Sequence, residues 1–163
     1  AQRAGVASSA MSIRGALSHI DMSVSDPNRS VPFYAAFFEA LGFRRFQSDH
    51  LEFWDKHPRR AAWFFRYSTG SIFGIEIRPT TLGGRSKAHD RYAPGLHHLA
   101  FHAESRAAVE EVHAAVLQAG GTVPDPPTDY SGREGYTDGY YAAFFADPDG
   151  VKLEVVYEPL TNP

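Results

Sequence analysis

Two stretches of the chain share one pattern of hydrophobic and polar positions. Each begins with a short run in which apolar and polar residues alternate, LSHIDMSV at 17–24 and LHHLAFHA at 96–103. A period of two is typical of a β-strand with one buried face. Each run leads into a segment with apolar residues at helical spacing, and then into further short β-rich runs. The pattern therefore predicts a strand, a helix and about three strands, occurring twice.

The two predicted helices carry recognisable start signals. The first helix lies within residues 26–41, and Pro32 is expected to delay its regular part by about a turn. The second helix is predicted to run from Ser105, a good N-cap residue, to Ala119. Both are followed directly or within one residue by glycine, which ends helices well.

Short β-rich runs follow each helix. They are FRRFQ, LEFWD, AAWFFRY and SIFGIEIRP in the first half, and GTVPD, GYYAAFFAD and VKLEVVYEP in the second. The DPDG turn at 147–150 predicts a hairpin between the last two runs. The sequence therefore predicts an α+β fold built from two similar halves.

A chain of 163 residues suits one domain of ordinary size. We expect a flexible N-terminal arm over residues 1–14, because this segment is small and polar. A single domain is predicted over 15–160. It consists of module one (15–80), a linker (81–94) and module two (95–159).

The composition excludes several classes of protein. Cysteine is absent, which rules out disulfide scaffolds and thiolate sites, so a cytoplasmic protein is expected. The net charge of -3 gives no basic surface for nucleic acid. No apolar run approaches the roughly 20 residues that a membrane span needs. A small-molecule substrate is therefore the expected partner.

One histidine and one glutamate occupy corresponding places in the two halves. His19 and Glu76 are 57 positions apart (76 − 19), and His98 and Glu154 are 56 apart (154 − 98). Side chains alternate along a strand, so all four are predicted on the faces opposite the apolar residues. Isolated buried charges there would cost several kcal/mol, and a divalent cation would offset that cost. These four residues are the predicted ligands of Ni, Co, Zn, Fe or Mn.

Five motifs make the chain resemble a known family. They are SHIDMSVSD, PFYAAFFEALGF, IEI, GLHHLAF and DPDGVKLEVV, spread over residues 16–159. The chain is similar to the vicinal oxygen chelate superfamily, which holds glyoxalase I, extradiol dioxygenases, methylmalonyl-CoA epimerase and the fosfomycin and bleomycin resistance proteins. The resemblance implies two βαβββ modules in a cupped, mostly antiparallel sheet around a metal. It also implies a homodimer and the ligands His19, Glu76, His98 and Glu154.

The ligand types favour one branch of this family. Two glutamates and two histidines resemble glyoxalase I, a lyase that acts on a small carbonyl substrate through a metal-bound enediolate. The resemblance implies Glu154 as the catalytic base, with Glu76 as the alternative. Extradiol dioxygenases, which cleave catechols, resemble one another in using two histidines and one glutamate. A drug-binding protein of the resistance type is the other alternative.

Further side chains are candidates for lining the site. His102 is predicted near its rim, whereas His97 is predicted to face the other way. The loop PDPPTDYSGREGYTDG is a candidate lid whose Arg133 would meet an anionic group. The candidate pocket walls are aromatic: Tyr140, Tyr141, Phe144, Phe53 and Trp54.

Overall fold

Two four-stranded sheets and two helices form the part of the chain that the computed structural model describes, residues 15–46, 60–81 and 87–159. In chain order the elements are β1 (His19–Val24), α1 (Pro27–Ala40), β2 (Arg44–Arg45), β3 (Ala61–Arg66), β4 (Ile72–Pro79), β5 (Leu99–His102), α2 (Arg106–Gln118), β6 (Thr122–Asp129), β7 (Tyr141–Ala146) and β8 (Lys152–Tyr157). The run LEFWD lies outside the described residues. No helix in these ranges is long and apolar enough to cross a membrane.

Both sheets have the same strand order. The first sheet is ordered β1-β4-β3-β2 and the second β5-β8-β7-β6. In each, the first two strands are parallel and the other neighbours are antiparallel. A parallel pair needs a crossover connection, and here that connection holds the helix. The predicted α+β fold with two βαβββ units is confirmed.

The strand register repeats between the halves. His19 lies beside Gly74 on β4, so Glu76 lies two residues beyond the partner of the histidine. In the second sheet Leu99 lies beside Leu153, which places Glu154 at the same offset from His98. The nearly equal spacing in sequence therefore reflects equal positions in the two sheets.

Each helix begins at a capping side chain. The Asp26 carboxylate accepts from the backbone N–H of Asn28, and α1 starts at the next residue, Pro27. Pro32 lies inside the helix with an exposed ring, so the expected delay of one turn was wrong. A proline facing solvent in the early turns removes one backbone hydrogen bond without a clash against the core. The predicted second helix is confirmed, with the Ser105 hydroxyl accepting from a backbone N–H.

One hydrophobic core joins the two modules. It contains the apolar faces of both sheets and the buried faces of both helices. Helix α1 contacts both sheets, because Phe38 packs against Trp63 and Phe37 packs against Phe145, with ring centroids 5.6 and 5.3 Å apart. Side chains alternate along strands, so the polar faces of both sheets point away from this core.

The predicted DPDG hairpin joins β7 to β8 and also ties the modules together. Asp147 in this turn is 5% exposed and accepts a hydrogen bond of 2.7 Å from the Tyr34 hydroxyl of α1. It also accepts from the backbone N–H groups of Asp149 and Val151. Burial raises the pKa of Asp147, and these three hydrogen bonds partly oppose the rise. The Asp149 carboxylate in turn accepts from Ser25, directly after β1.

We expect Tyr34→Phe to lower the free energy of unfolding by about 1–3 kcal/mol, because it removes a donor from a buried carboxylate. Tyr141→Phe is the matched control, since the Tyr141 hydroxyl donates to exposed Glu110. The control should change the stability by less than about 0.5 kcal/mol. Urea denaturation of both variants measures the difference, and equal losses would contradict a structural role for the Tyr34–Asp147 contact.

Candidate functional site

Glu154 is a carboxylate in the middle of a buried strand. It is 3% exposed, and its neighbours Leu153 and Val155 point into the core. Glu154 faces the opposite side of the sheet, with Phe144 on β7 and Ala100 on β5 beside it. A charge in such surroundings is costly unless nearby groups compensate it. The groups that contact Glu154 therefore determine whether its charge is compensated within the protein.

The partners of Glu154 are polar but carry no permanent charge. The Tyr140 hydroxyl donates to Oε1, and His98 Nε2 lies 3.2 Å from Oε2. Burial raises the pKa of Tyr140, and its bond to the Glu154 carboxylate raises it further. The phenol therefore stays neutral and fixes one oxygen of Glu154, while the other oxygen faces the imidazole.

The second nitrogen of His98 is also occupied. His98 Nδ1 lies 2.7 Å from Nδ1 of His97, and the two rings meet edge to face. Partial desolvation and the neighbouring His98 lower the pKa of His97. The expectation that His97 faces away was wrong, because β5 begins only at Leu99 and strand alternation does not hold before it. A histidine ligand normally has its second nitrogen held in this way.

The geometry of His98 and Glu154, the module-two pair, suits a divalent cation. Ligand bonds of about 2.1 Å place neighbouring ligand atoms about 3.0 Å apart in an octahedral site and about 3.4 Å apart in a tetrahedral one. The observed separation between Nε2 and Oε2 is 3.2 Å. The two atoms can therefore bind one ion from adjacent positions with little movement.

His19 and Glu76, the module-one pair, have different surroundings. Glu76 Oε1 lies 3.2 Å from an Arg60 nitrogen, and Oε2 lies 3.3 Å from an Arg78 nitrogen. Arg78 also forms an ion pair with Asp21 on β1. The charge of the Glu76 carboxylate is therefore compensated by two guanidinium groups. A metal ion bound there would have to displace them or lie close to their positive charges.

A cavity of about 370 Å³ lies against the polar face of the first sheet. His19 and Glu76 both line it, and His19 is exposed, with Nδ1 3.2 Å from the Ser18 hydroxyl. Apolar side chains supply much of its remaining lining, among them Phe46, Phe64 and Ile72. A volume above about 300 Å³ with few polar groups is typical of a small-molecule site.

The module-one pair and the module-two pair do not meet within one chain. They lie on the polar faces of different sheets, and both faces point away from the shared core. Across the described ranges no group of three or more His, Cys, Asp or Glu side chains could hold a metal ion. The four-ligand site remains a prediction. Within a single chain its predicted ligands form two separate pairs.

The candidate lid is partly strand. Its first residues belong to β6, and the remainder packs its aromatic rings together, with Tyr130 stacked on Tyr136 at 4.9 Å and Tyr136 against Tyr140. Arg133 lies over the Tyr130 ring at 4.6 Å. The loop thus packs against the Tyr140 ring through Tyr136, and the Arg133 guanidinium stacks on the Tyr130 ring.

The other sequence candidates within the described residues lie in three different places. Phe144 lies on the same face as Glu154 and carries the Lys152 ammonium 3.9 Å from its ring centre. Tyr141 contacts Arg106 and Glu110 on the surface. His102 lines an apolar groove formed with the first sheet. Phe53 and Trp54 lie outside the described residues.

Several site residues were not predicted, although the pattern contained a signal for some of them. Alternation places Asp21 on the same face as His19, and Arg78 on the same face as Glu76. The parallel register of β1 and β4 then brings Asp21 beside Glu76. Arg60 precedes β3, where no periodicity marks it. The bond from Tyr140 to Glu154 depends on the loop conformation and had no sequence signal.

A family model matches residues 16–155, nearly the whole of the described fold. The chain belongs to the Glyoxalase/Bleomycin resistance protein/Dioxygenase superfamily. Among curated proteins, this superfamily member is 29% identical over 140 residues to the uncharacterized protein YqjT of Bacillus subtilis (strain 168). That match covers 85% of the chain and 95% of YqjT.

Solved structures support the same fold for this superfamily member. A glyoxalase/bleomycin resistance protein from Albidiferax ferrireducens T118 has a TM-score of 0.58 and 25% identity, covering 88% of this chain and 98% of that one. A glyoxalase/dioxygenase from Nostoc punctiforme has a TM-score of 0.59 and 18% identity, covering 97% and 99%. These likenesses show the fold, and because the names span several activities they leave the reaction open.

We expect Glu154→Gln to lower the pKa of Tyr140 toward its ordinary value, because the neutral amide removes both the charge and the ionic hydrogen bond that raise it. Titration of the tyrosine Cζ carbons by NMR measures the change. Tyr130 is the internal control, since its pKa is raised by burial and Asp125 without a contribution from Glu154. An unchanged Tyr140 titration in the variant would show that the two side chains do not interact.

Proposed function

We propose that the chain is a metal-dependent enzyme of the glyoxalase type, a lyase or isomerase acting on a small carbonyl substrate. The module-two pair is the observation that carries this proposal. A buried carboxylate oxygen and an imidazole nitrogen lie 3.2 Å apart, which suits adjacent ligands of one ion. Because no arginine or lysine ion pair compensates Glu154 in the described residues, its charge is available to a cation.

His98 and Glu154 would hold the ion, together with His19 and with Glu76 as the fourth predicted ligand. Imidazole and carboxylate suit Ni, Co, Zn, Fe(II) and Mn(II) alike. Such an ion supplies Lewis acidity toward a substrate carbonyl. The contact from His97 to His98 Nδ1 would keep the His98 ring oriented with Nε2 toward the site.

Glu154 is the proposed general base, which removes a proton from the carbon next to the substrate carbonyl. The Tyr140 hydroxyl holds Oε1 in place, so the carboxylate is already oriented when substrate arrives. With Phe144 beside it on β7 and the Tyr140 hydroxyl on Oε1, Glu154 is almost out of contact with water. Glu76 is the alternative base, and the cavity beside it offers an apolar wall for the rest of the substrate.

The complete site is proposed to form between two copies of the chain. Both pairs lie on sheet faces opposite the shared core, so the module-one pair of one copy can approach the module-two pair of another. A two-fold symmetric dimer would create two such sites, each with residues from both copies. The proposed enzyme is therefore a homodimer.

Extradiol cleavage of a catechol is the second candidate reaction. The observation that favours it is the ion pairing of Glu76 with Arg60 and Arg78. If these contacts persist, the ligands are two histidines and one glutamate, a set typical of non-haem Fe(II) oxygenases. The substrate would then be a catechol, with molecular oxygen as co-substrate.

We expect the protein purified without chelators to carry a transition metal, and His98→Ala to lose it. Glu154→Gln should keep the fold and lose turnover, because it removes the proposed base. Elemental analysis and circular dichroism measure metal and fold. Turnover is measured on metal-loaded protein with α-ketoaldehyde–thiol adducts and with catechols. A metal-free protein that binds an aromatic drug would instead support the drug-binding alternative, and variants that match the parent would refute the site.

A mixture of His19→Ala and His98→Ala chains tests whether two copies share the site. Each variant alone should lack metal, whereas mixed dimers would contain one intact site and one doubly altered site. Equal amounts, unfolded and refolded together, should regain about a quarter of the wild-type metal content, because half of randomly formed dimers are mixed. No recovery from a mixture that refolds as dimers would place the whole site in one chain.

A further inference from the structure

The two glutamates at matching positions have opposite electrostatic surroundings. Glu154 faces a neutral phenol and an imidazole, and its side chain is 4% exposed. Glu76 faces two guanidinium groups and its side chain is 20% exposed. The modules share strand order and register, so the difference comes from side chains and not from the fold.

In module two no lysine or arginine forms an ion pair with Glu154 among the described residues. Lys152 lies two residues before it on the same strand face, yet its ammonium contacts the Phe144 ring at 3.9 Å. In module one, by contrast, two arginine side chains contact the Glu76 carboxylate. Arg78 lies two residues after Glu76 on the same strand face, where module two has Val156, and it bonds both Glu76 and Asp21. Arg60 reaches the other oxygen of Glu76.

This arrangement conflicts with metal binding at Glu76. Each of its oxygens already lies within 3.3 Å of a guanidinium nitrogen. A divalent ion bound there would lie only about 5 Å from two positive groups, a separation at which like charges repel strongly even near a protein surface. The Glu154 oxygens have no guanidinium or ammonium partner in the described residues, where they contact the Tyr140 hydroxyl and the His98 imidazole.

We propose that Arg60 and Arg78 withhold Glu76 from the metal, which is bound by His19, His98 and Glu154, so that Glu76 is a latent fourth ligand. The inference rests on the proposed function, since it concerns the ligands of the same ion. Three protein ligands leave three positions of a six-coordinate ion for substrate and a small second ligand, whereas four leave two.

Titration with Co²⁺ tests the inference by affinity and by the visible absorption of the bound ion. We expect Glu76→Gln to change the dissociation constant by less than about 3-fold, and Glu154→Gln to weaken binding by about 100-fold or more. Removing both positive charges, in Arg60→Gln with Arg78→Gln, should tighten binding by about 10-fold, because Glu76 then becomes available. Adding Glu76→Gln to this double variant should abolish the gain.

The matched control is Arg60→Lys with Arg78→Lys, which keeps the charges and should bind Co²⁺ like the wild type. If Glu76→Gln weakens binding as strongly as Glu154→Gln, Glu76 is a ligand and the inference is wrong. The inference is also wrong if the gain survives the addition of Glu76→Gln. A wild-type protein that binds no Co²⁺ would refute the proposed function along with it. Circular dichroism confirms that each variant is folded.

Discussion

The shared core between the two sheets is the constraint on which the rest of the structure depends. Both sheets bury an apolar face against the same helices, so every polar strand residue must face outward. The Tyr34–Asp147 and Ser25–Asp149 contacts fix the modules in this arrangement. Histidine and glutamate therefore lie in two separate pairs on the faces opposite this core, and Glu154 is itself buried. Under the proposed function these pairs are two halves of one site, and a second copy of the chain supplies the missing half.

Glu76 and Glu154 have the same strand position in two sheets of the same topology, yet their charges are compensated in different ways. A buried charge is stable only with nearby compensation, and the two modules supply it differently. Module two places the Tyr140 hydroxyl and the His98 imidazole against Glu154, with no arginine or lysine ion pair in the described residues. Module one uses Arg60 and Arg78, which neutralise Glu76. Equal strand positions therefore come with unequal electrostatic surroundings, so the spacing of His and Glu alone does not show which carboxylate of this chain would bind a cation.

Much of the fold could be predicted from the sequence, because periodicity and capping are local. Alternating residues marked the strands, Ser105 marked the second helix, and the DPDG turn marked the last hairpin. The site was less predictable, since it depends on contacts between distant segments. Strand alternation placed Glu154 on the correct face, but its bond to Tyr140 arises from the fold of a loop. His97 was misplaced because alternation does not extend before Leu99.

Crystallography of the Co²⁺-loaded protein, with anomalous scattering to locate the metal, tests the central claim most directly. We predict one anomalous peak per chain, coordinated by His98 Nε2 and Glu154 Oε2 of one copy and by His19 of a second copy. A peak away from these side chains would contradict it. A monomeric crystal structure in which His98 Nε2 still contacts Glu154 Oε2 directly, with no metal between them, would also contradict it.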